Sequence, residues 1–166
     1  MLTNRKPKSK EITEAQALKR IAAQCAKSEH CSGEVDDKLR RWGLSAQERA
    51  RIIAKLIDAK FIDDERFTNY FVHDKIKLSH WGQRKIEVAL RQKHVDSSII
   101  SNVLDAVDDN EYLEILRPMI RQKMESVTAK SDYERAMKTI KWAMGRGFTM
   151  DVIRKCIDDA DEYAED

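Results

Sequence analysis

The feature that most constrains the fold is a helix-stop-helix pattern that occurs three times. In each copy a helix ends at a residue suited to the left-handed backbone conformation, and these residues are Gly43, His94 and Gly147. An apolar residue lies four positions before each stop, another comes directly after it, and then comes a polar residue that can cap the next helix. A further match lies eight positions after the second apolar residue. The apolar residue before the stop is Leu39, Leu90 or Ala143, and the one directly after it is Leu44, Val95 or Phe148. The capping residue is Ser45, Asp96 or Thr149, and the final match is Ile52, Val103 or Cys156. The period predicts a tandem array of helical repeats.

Local signals place the first four helices. Only two Pro and five Gly occur in 166 residues, which favours helix. We expect caps at Thr13, Ser32, Ser45 and Asp63. Spacings of three and four predict the inner faces of the second to fourth helices. Those faces hold Val35, Leu39 and Trp42, then Ile52, Ile53, Leu56 and Ile57, then Phe67, Tyr70 and Phe71.

The second half of the chain predicts further helices. A helix from Asp109 to Ser126 should end or bend at Arg117, because Pro118 comes next. A loop over 127–131 precedes the last pair of helices, expected from Tyr133 to Met144 and from Met150 to Ala160. The sequence thus predicts an all-α, elongated array of three-helix repeats with about nine helices. We expect a disordered basic tail over 1–12, repeats over 13–60 and 61–108, and a third repeat with an acidic end over 109–166.

Charge is segregated along the chain, although the net charge is only +2. Residues 1–10 carry four basic groups and no acid, whereas residues 151–166 carry seven acids and two bases. No apolar run approaches the ~20 residues that span a bilayer, and no signal-peptide pattern comes after the basic start. The three cysteines, Cys25, Cys31 and Cys156, show no paired spacing. A cytoplasmic protein without membrane contact is the expectation.

Motifs for catalysis or metal binding are weak. Asp63, Asp64 and Glu65 suggest a capped helix start more than a metal cluster, since adjacent helical positions point in different directions. Cys25 and Cys31 flank His30, but no second ligand pair completes a zinc site. The sequence has no glycine-rich phosphate loop, nucleophile elbow or HExxH motif. We therefore expect no enzymatic activity and no cofactor.

A concentration of basic residues is the best candidate for a contact surface. This basic set comprises Lys75, Lys77, Arg84, Lys85, Arg91 and Lys93. Arg84 and Arg91 are seven apart and share one helical face. The set is either a solvated face or a surface for DNA or an acidic partner. His73 and His80 lie nearby and could assist, although surface histidines need no function.

One segment carries a family resemblance. Phe61-Ile62-Asp63-Asp64-Glu65-Arg66-Phe67 resembles the signature of the RecX family, an apolar pair, two Asp, any residue, then Arg-Phe, and Phe71 continues it. The segment with Gly82, Arg84, Lys85, Ile86, Leu90 and Lys93 resembles the next segment of that family. Ser32 to Leu39 and Arg146-Gly147-Phe148 extend the likeness over about residues 15–160. Ala89 and His94 depart from the family pattern, which has an acid and Gly there.

The resemblance implies a regulator, mainly an inhibitor, of the RecA recombinase. Such proteins bind in the groove of the RecA–single-stranded DNA filament and limit ATP turnover, strand exchange and filament growth, and so act in DNA repair and recombination. We expect the basic set to contact the filament, the protein to act as a monomer, and direct DNA binding to be weak. A stand-alone helical DNA-binding module and a helical scaffold for another protein are the alternatives.

Overall fold

The computed structural model describes residues 12–162, and of 159–162 only the backbone. This part of the chain contains nine α-helices and no strand, which confirms the predicted all-α repeat fold. The helices are α1 (Glu14–Lys27), α2 (Ser32–Arg41), α3 (Ala46–Asp58), α4 (Asp64–Lys77), α5 (Gln83–Gln92), α6 (Ser97–Asp105), α7 (Asp109–Ser126), α8 (Asp132–Gly145) and α9 (Met150–Glu162). The predicted basic tail lies outside the described residues except for Ile12.

The predicted helix caps are confirmed at three of four positions. Thr13 and Ser45 each form a capping box. The hydroxyl of the cap residue accepts a hydrogen bond from the backbone N–H three residues later, and the side chain of that later residue, Gln16 or Glu48, accepts one from the backbone N–H of the cap residue. Asp63 accepts from Arg66 N at 2.9 Å and so starts α4. The prediction for Ser32 is wrong. The N-cap of α2 is Cys31, and Ser32 is the first helical residue.

The threefold stop pattern is confirmed in conformation and in packing. Gly43, His94 and Gly147 have φ of 83°, 58° and 94°. The capping side chains accept hydrogen bonds from backbone N–H groups. Asp96 accepts from Ser98 N at 2.9 Å, and Thr149 accepts from Val152 N at 3.5 Å. The apolar members of the pattern are buried, namely Leu39, Leu90, Ala143, Leu44, Val95, Phe148, Ile52, Val103 and Cys156.

Two helices are rotated relative to the predicted inner faces. Tyr70 is 58% exposed, and α4 buries Thr68, Val72 and Ile76 instead, together with Phe67. Ile57 is 49% exposed, while Ile52 and Leu56 of the same helix are buried. In each helix the residues that face the core are spaced four apart along the chain. Tyr70 and Ile57 lie beside these rows, and their side chains are therefore directed to solvent.

Pro118 does not end α7, so of the two predicted outcomes, an end or a bend at Arg117, the end is wrong. The helix continues through it to Ser126. A proline here removes only one backbone bond and adds a local clash with the preceding turn. Burial on both sides of the proline offsets this cost, because Leu113, Leu116 and Ile120 are all buried.

The described chain forms two compact units. Unit 1 comprises 12–67 and 93–95, and unit 2 comprises 68–92 and 96–162. The core of unit 1 consists of eight side chains from α1 to the start of α4: Ala17, Ile21, Val35, Leu39, Leu44, Ile52, Leu56 and Ile62. In unit 2, α7, α8 and α9 pack against one another and α5 packs against α6. Its largest fully buried side chains include Phe148, Leu116 and Ile120.

Candidate nucleic-acid and protein interface

The two adjacent aspartates of the motif cap two different helices in unit 1. Asp63 caps α4, its own helix, by accepting from Arg66 N. Asp64 instead accepts from Ser32 N at 2.7 Å and from the Ser32 hydroxyl. A carboxylate at the amino end of α2 satisfies a free backbone N–H and complements the helix dipole. This long-range bond explains why Ser32 does not cap its own helix.

The remaining motif residues also make contacts within unit 1. Arg66 Nε donates to Glu29 Oε1 at 2.8 Å, and its Nη2 donates to Lys60 O at 3.1 Å. Lys60 has a φ of 61° and forms the stop after α3. Ile62 and Phe67 are buried. The motif therefore fixes the path of the chain from α3 into α4.

The start of α5 is clamped to the α8–α9 turn within unit 2. Gly82 N donates to Arg146 O and Arg84 N donates to Gly147 O, both at 2.9 Å. A Cβ placed on Gly82 would lie 2.2 Å from Phe148 N and 2.3 Å from Gly147 C. Only glycine therefore permits this approach. The clamp fixes where Lys85, in the first turn of α5, lies relative to Arg146.

Two of the predicted contact residues meet at one aromatic ring. Lys75 Nζ lies 4.6 Å and Lys85 Nζ 4.7 Å from the centroid of the Trp81 ring. Lys75 Nζ is also 5.4 Å from the Phe71 ring. Trp81 is half-buried. Cation–π attraction places two ammonium groups at one indole, a pairing that the sequence does not predict.

Among the described residues, the other four members of the basic set do not contact the Trp81 ring, which holds only Lys75 and Lys85. Lys77 and Arg84 are exposed. Arg91 Nη2 pairs with Glu87 Oε1 at 2.8 Å within α5. Lys93 belongs to unit 1, where its Nζ is 2.7 Å from Glu34 Oε1. The structure thus brings Lys75 and Lys85 together, and it engages Lys93 in an ion pair of its own.

Glu34 forms a small charged cluster in unit 1 with Lys93 and His30. Its carboxylate contacts Lys93 Nζ and lies 3.0 Å from His30 Nδ1. Burial by itself raises the pKa of the Glu34 carboxyl, but the hydrogen bonds from Lys93 and His30 outweigh it and hold the pKa below its ordinary value. Because Lys93 is held by Glu34, its ammonium group is less available to a binding partner.

The two histidines near the basic set have local roles. His73 Nδ1 lies 2.9 Å from Glu111 Oε2 in unit 2. His80 has a φ of 55° and forms the stop after α4. Lys60 and His80 are left-handed stops that the sequence did not reveal, because neither belongs to the threefold pattern that singled out His94.

The sequence also did not reveal a second basic region in unit 2. A cleft of about 750 Å³ is lined by five cations, Trp142, Val127 and Gly145. The cations are Lys85, Lys123, Lys138, Lys141 and Arg146. The only sequence signal was the spacing of Lys138, Lys141 and Trp142 on one face of a helix.

Two classes of feature are missing from the described part of the chain. No helix within 12–162 is long and apolar enough to cross a membrane. Nor do three or more His, Cys, Asp or Glu side chains converge there as ligands for a metal ion.

Comparison with known proteins identifies the second and third repeats. Residues 63–104 match the family model described as RecX, second three-helix domain. Residues 109–157 match the model described as RecX, third three-helix domain. The two matches together cover more than half of the chain.

Relatives agree with these matches. Regulatory protein RecX of Lactobacillus johnsonii is 30% identical over 134 residues, which are 80% of this chain and 49% of the relative. Regulatory protein RecX of Acinetobacter baylyi is 24% identical over 135 residues, 81% of this chain and 82% of that protein. The chain spans about half the length of the first curated relatives it matches.

A crystal structure of RecX from Lactobacillus salivarius superposes with a TM-score of 0.82 at 22% identity, covering 89% of this chain and 96% of that one. At this identity the superposition establishes the fold. Family models, relatives and fold lead to one conclusion: the chain belongs to the RecX family.

Proposed function

We propose that this protein regulates the RecA recombinase, mainly as an inhibitor. It binds in the groove of the RecA–single-stranded DNA filament and limits ATP turnover, strand exchange and filament growth. It does so in the cytoplasm as a monomer, without chemistry of its own. The observation that carries the proposal is the match to two consecutive RecX domains over 63–104 and 109–157. Relatives of this chain bear the name Regulatory protein RecX.

A repeat array suits such a role for physical reasons. Each three-helix repeat adds contact area along a polymeric partner, so several weak contacts sum to a useful affinity. Binding energy that favours one state of the filament shifts its dynamics without catalysis. The basic set supplies the contacts to the filament in this proposal, with Lys75 and Lys85 at Trp81 as its best-defined part. Asp158, at the acidic end, is exposed and lies away from DNA or meets basic groups of the recombinase.

The test is single-stranded-DNA-dependent ATP hydrolysis by the cognate RecA, titrated with this protein below one copy per recombinase. Inhibition at substoichiometric ratios supports a regulator that acts on filament growth or on several subunits. Hydrolysis that stays constant up to equimolar protein contradicts the proposal.

Charge reversal tests the contact residues. The variant Arg84→Glu, Lys85→Glu, Arg91→Glu should lose inhibition while its helicity stays intact, since all three side chains are exposed. The matched control is Lys19→Glu, Lys27→Glu, Lys55→Glu, which reverses three exposed lysines of unit 1. Inhibition that survives the first variant, or falls equally in both, shows that the contact residues are wrongly assigned.

The alternative is a stand-alone helical DNA-binding module, which the basic cleft at Trp142 would also serve. That function requires strong binding to bare DNA with a steep salt dependence. The net charge of +2 argues against it. Salt-sensitive DNA binding with no effect on RecA would establish the alternative.

A further inference from the structure

The basic cleft of unit 2 lies outside the basic set except for Lys85. Its walls come from three separate segments: Lys85 from α5, Lys123 and Val127 from the end of α7, and the remaining residues from α8 and the turn after it. None of the lining residues is acidic. Within the described chain, Lys138 is the one lining cation held by an acid, with its Nζ 3.1 Å from Glu134 Oε1 and donating to Thr128 O at 2.7 Å.

The residues that line the cleft carry a surplus of positive charge. The carboxyl ends of α7 and α8 contribute about half a negative charge each, and Glu134 contributes one more. Five side chains carry positive charge against these. Lys141 is exposed and forms no ion pair with any residue between 12 and 158. A surplus of cations in a concave site raises the local concentration of anions.

An aromatic ring lies at the centre of this charge. Lys123 Nζ is 5.4 Å and Arg146 Cζ is 5.1 Å from the Trp142 ring. The indole is half-buried. Trp81 repeats this arrangement, with Lys75 and Lys85 as its two cations. Each site thus pairs one tryptophan with two cations.

Lys85 connects the two sites. Its ammonium group contacts Trp81 and its side chain also lines the cleft at Trp142. The glycine clamp fixes this connection, because a Cβ on Gly147 would lie 2.5 Å from Lys85 N and Cβ. Two cation–tryptophan sites that share one lysine suit a ligand that is itself a chain of repeated anionic and aromatic groups.

From this arrangement we propose that the cleft at Trp142 binds the backbone of single-stranded nucleic acid, with Lys123, Lys141 and Arg146 contacting phosphates and Trp142 supporting a base. Single strands are bound without sequence preference where a basic groove tracks the phosphates and aromatic rings meet the bases. An acidic protein segment fits less well. The buried centres of protein interfaces are more apolar than their rims, and apart from Trp142 the cleft offers only Val127 as an apolar side chain.

The test measures fluorescence anisotropy of a labelled oligothymidylate of about 20 nucleotides, long enough to cover both sites, over a series of salt concentrations. The triple variant Lys123→Glu, Lys141→Glu, Arg146→Glu should lower affinity at least tenfold at low salt. The slope of log affinity against log salt should fall by about 2, since each phosphate contact on a single strand contributes about 0.7. The control Lys19→Glu, Lys27→Glu, Lys55→Glu changes the net charge equally and should leave the slope unchanged.

A second pair of variants isolates the ring. Trp142→Leu should weaken binding severalfold, whereas Trp142→Phe, which retains an aromatic face, should stay near wild type. If circular dichroism shows that the triple variant does not fold, the single variant Lys141→Glu replaces it. Its affinity for the oligonucleotide should fall by about threefold.

Three outcomes overturn the proposal: affinity within twofold of wild type in the cleft variant, an equal loss in the control, or a polyglutamate peptide that competes as well as the oligonucleotide. The proposal extends the proposed function, and the two fail separately. The titration contains no recombinase, so cleft binding without an effect on ATP hydrolysis removes only the proposed function. Inhibition without cleft binding removes only the cleft.

Discussion

In each unit a glycine at a helix start packs against the backbone of a left-handed turn, and this glycine joint is tighter in unit 2 than in unit 1. In unit 1, Gly33 at the start of α2 packs against the stop that contains Lys93 and His94. In unit 2, Gly82 just before α5 packs against the stop that contains Gly147. In both, a glycine before or in the first turn of a helix meets the backbone of a left-handed turn far along the chain.

The difference lies in how many backbone atoms the glycine meets. A Cβ on Gly33 would lie 2.0 Å from Lys93 O, but its next neighbours are 3.1 and 3.2 Å away. A Cβ on Gly82 would meet three backbone atoms between 2.2 and 2.5 Å. The unit 2 turn is glycine itself, whereas the unit 1 turn carries a histidine side chain. The tighter joint is therefore the one that holds Lys85 beside Arg146.

The largest expected effect is at the tighter joint. Gly82→Ala should lower the free energy of unfolding by about 3 kcal/mol, because the new methyl group forces the start of α5 away from the α8–α9 turn. Urea denaturation measures it. The matched control is Gly145→Ala, where a Cβ meets nothing within 4 Å, and a gain of up to about 0.5 kcal/mol is expected. Equal stability of Gly82→Ala and wild type would show that the joint does not exist in solution.

A smaller effect is expected at the looser joint. Gly33→Ala should cost about 2 kcal/mol, since only the Lys93 carbonyl must move. The same denaturation experiment ranks the two substitutions. A larger loss at Gly33 than at Gly82 would reverse the comparison between the units.

The smallest effect concerns the ion pairs of Glu34 beside the unit 1 joint. The pKa of Glu34 lies below its ordinary value of 4.5, so its contribution to stability is complete above about pH 4.5 and is lost as the pH falls further. Glu34→Gln should be less stable than wild type by about 1 kcal/mol at pH 7, with the difference vanishing at acid pH. Thermal unfolding of both proteins from pH 7 to pH 3 measures this. A difference that grows below pH 4.5 would contradict the assigned shift.

Local chemistry explains what the sequence predicted well. The caps at Thr13 and Ser45 depend on residues within three positions. The stops at Gly43 and Gly147 are glycines, which adopt the left-handed conformation readily. The motif that carries the family resemblance makes long-range contacts in unit 1. Asp64 illustrates this, since its partner Ser32 lies 32 positions earlier.

Tertiary packing decides what the sequence did not predict. Tyr70 and Ile57 fit an inner face by spacing, yet the rotation of their helices depends on distant neighbours. Pro118 is accommodated because buried residues on both sides hold α7 together. The basic cleft combines Lys85 with residues 38 to 61 positions later, a distance over which no sequence pattern extends.

One measurement tests the central claim, that this protein is a filament regulator, most directly. It compares affinity for single-stranded DNA coated with the cognate RecA and for the same DNA bare, at one salt concentration. Regulation predicts tighter binding to the filament, because contacts to the recombinase add to those with DNA. It also predicts that Arg84→Glu, Lys85→Glu, Arg91→Glu removes most of this preference. Equal or weaker binding to the filament would contradict the account and identify a DNA-binding module.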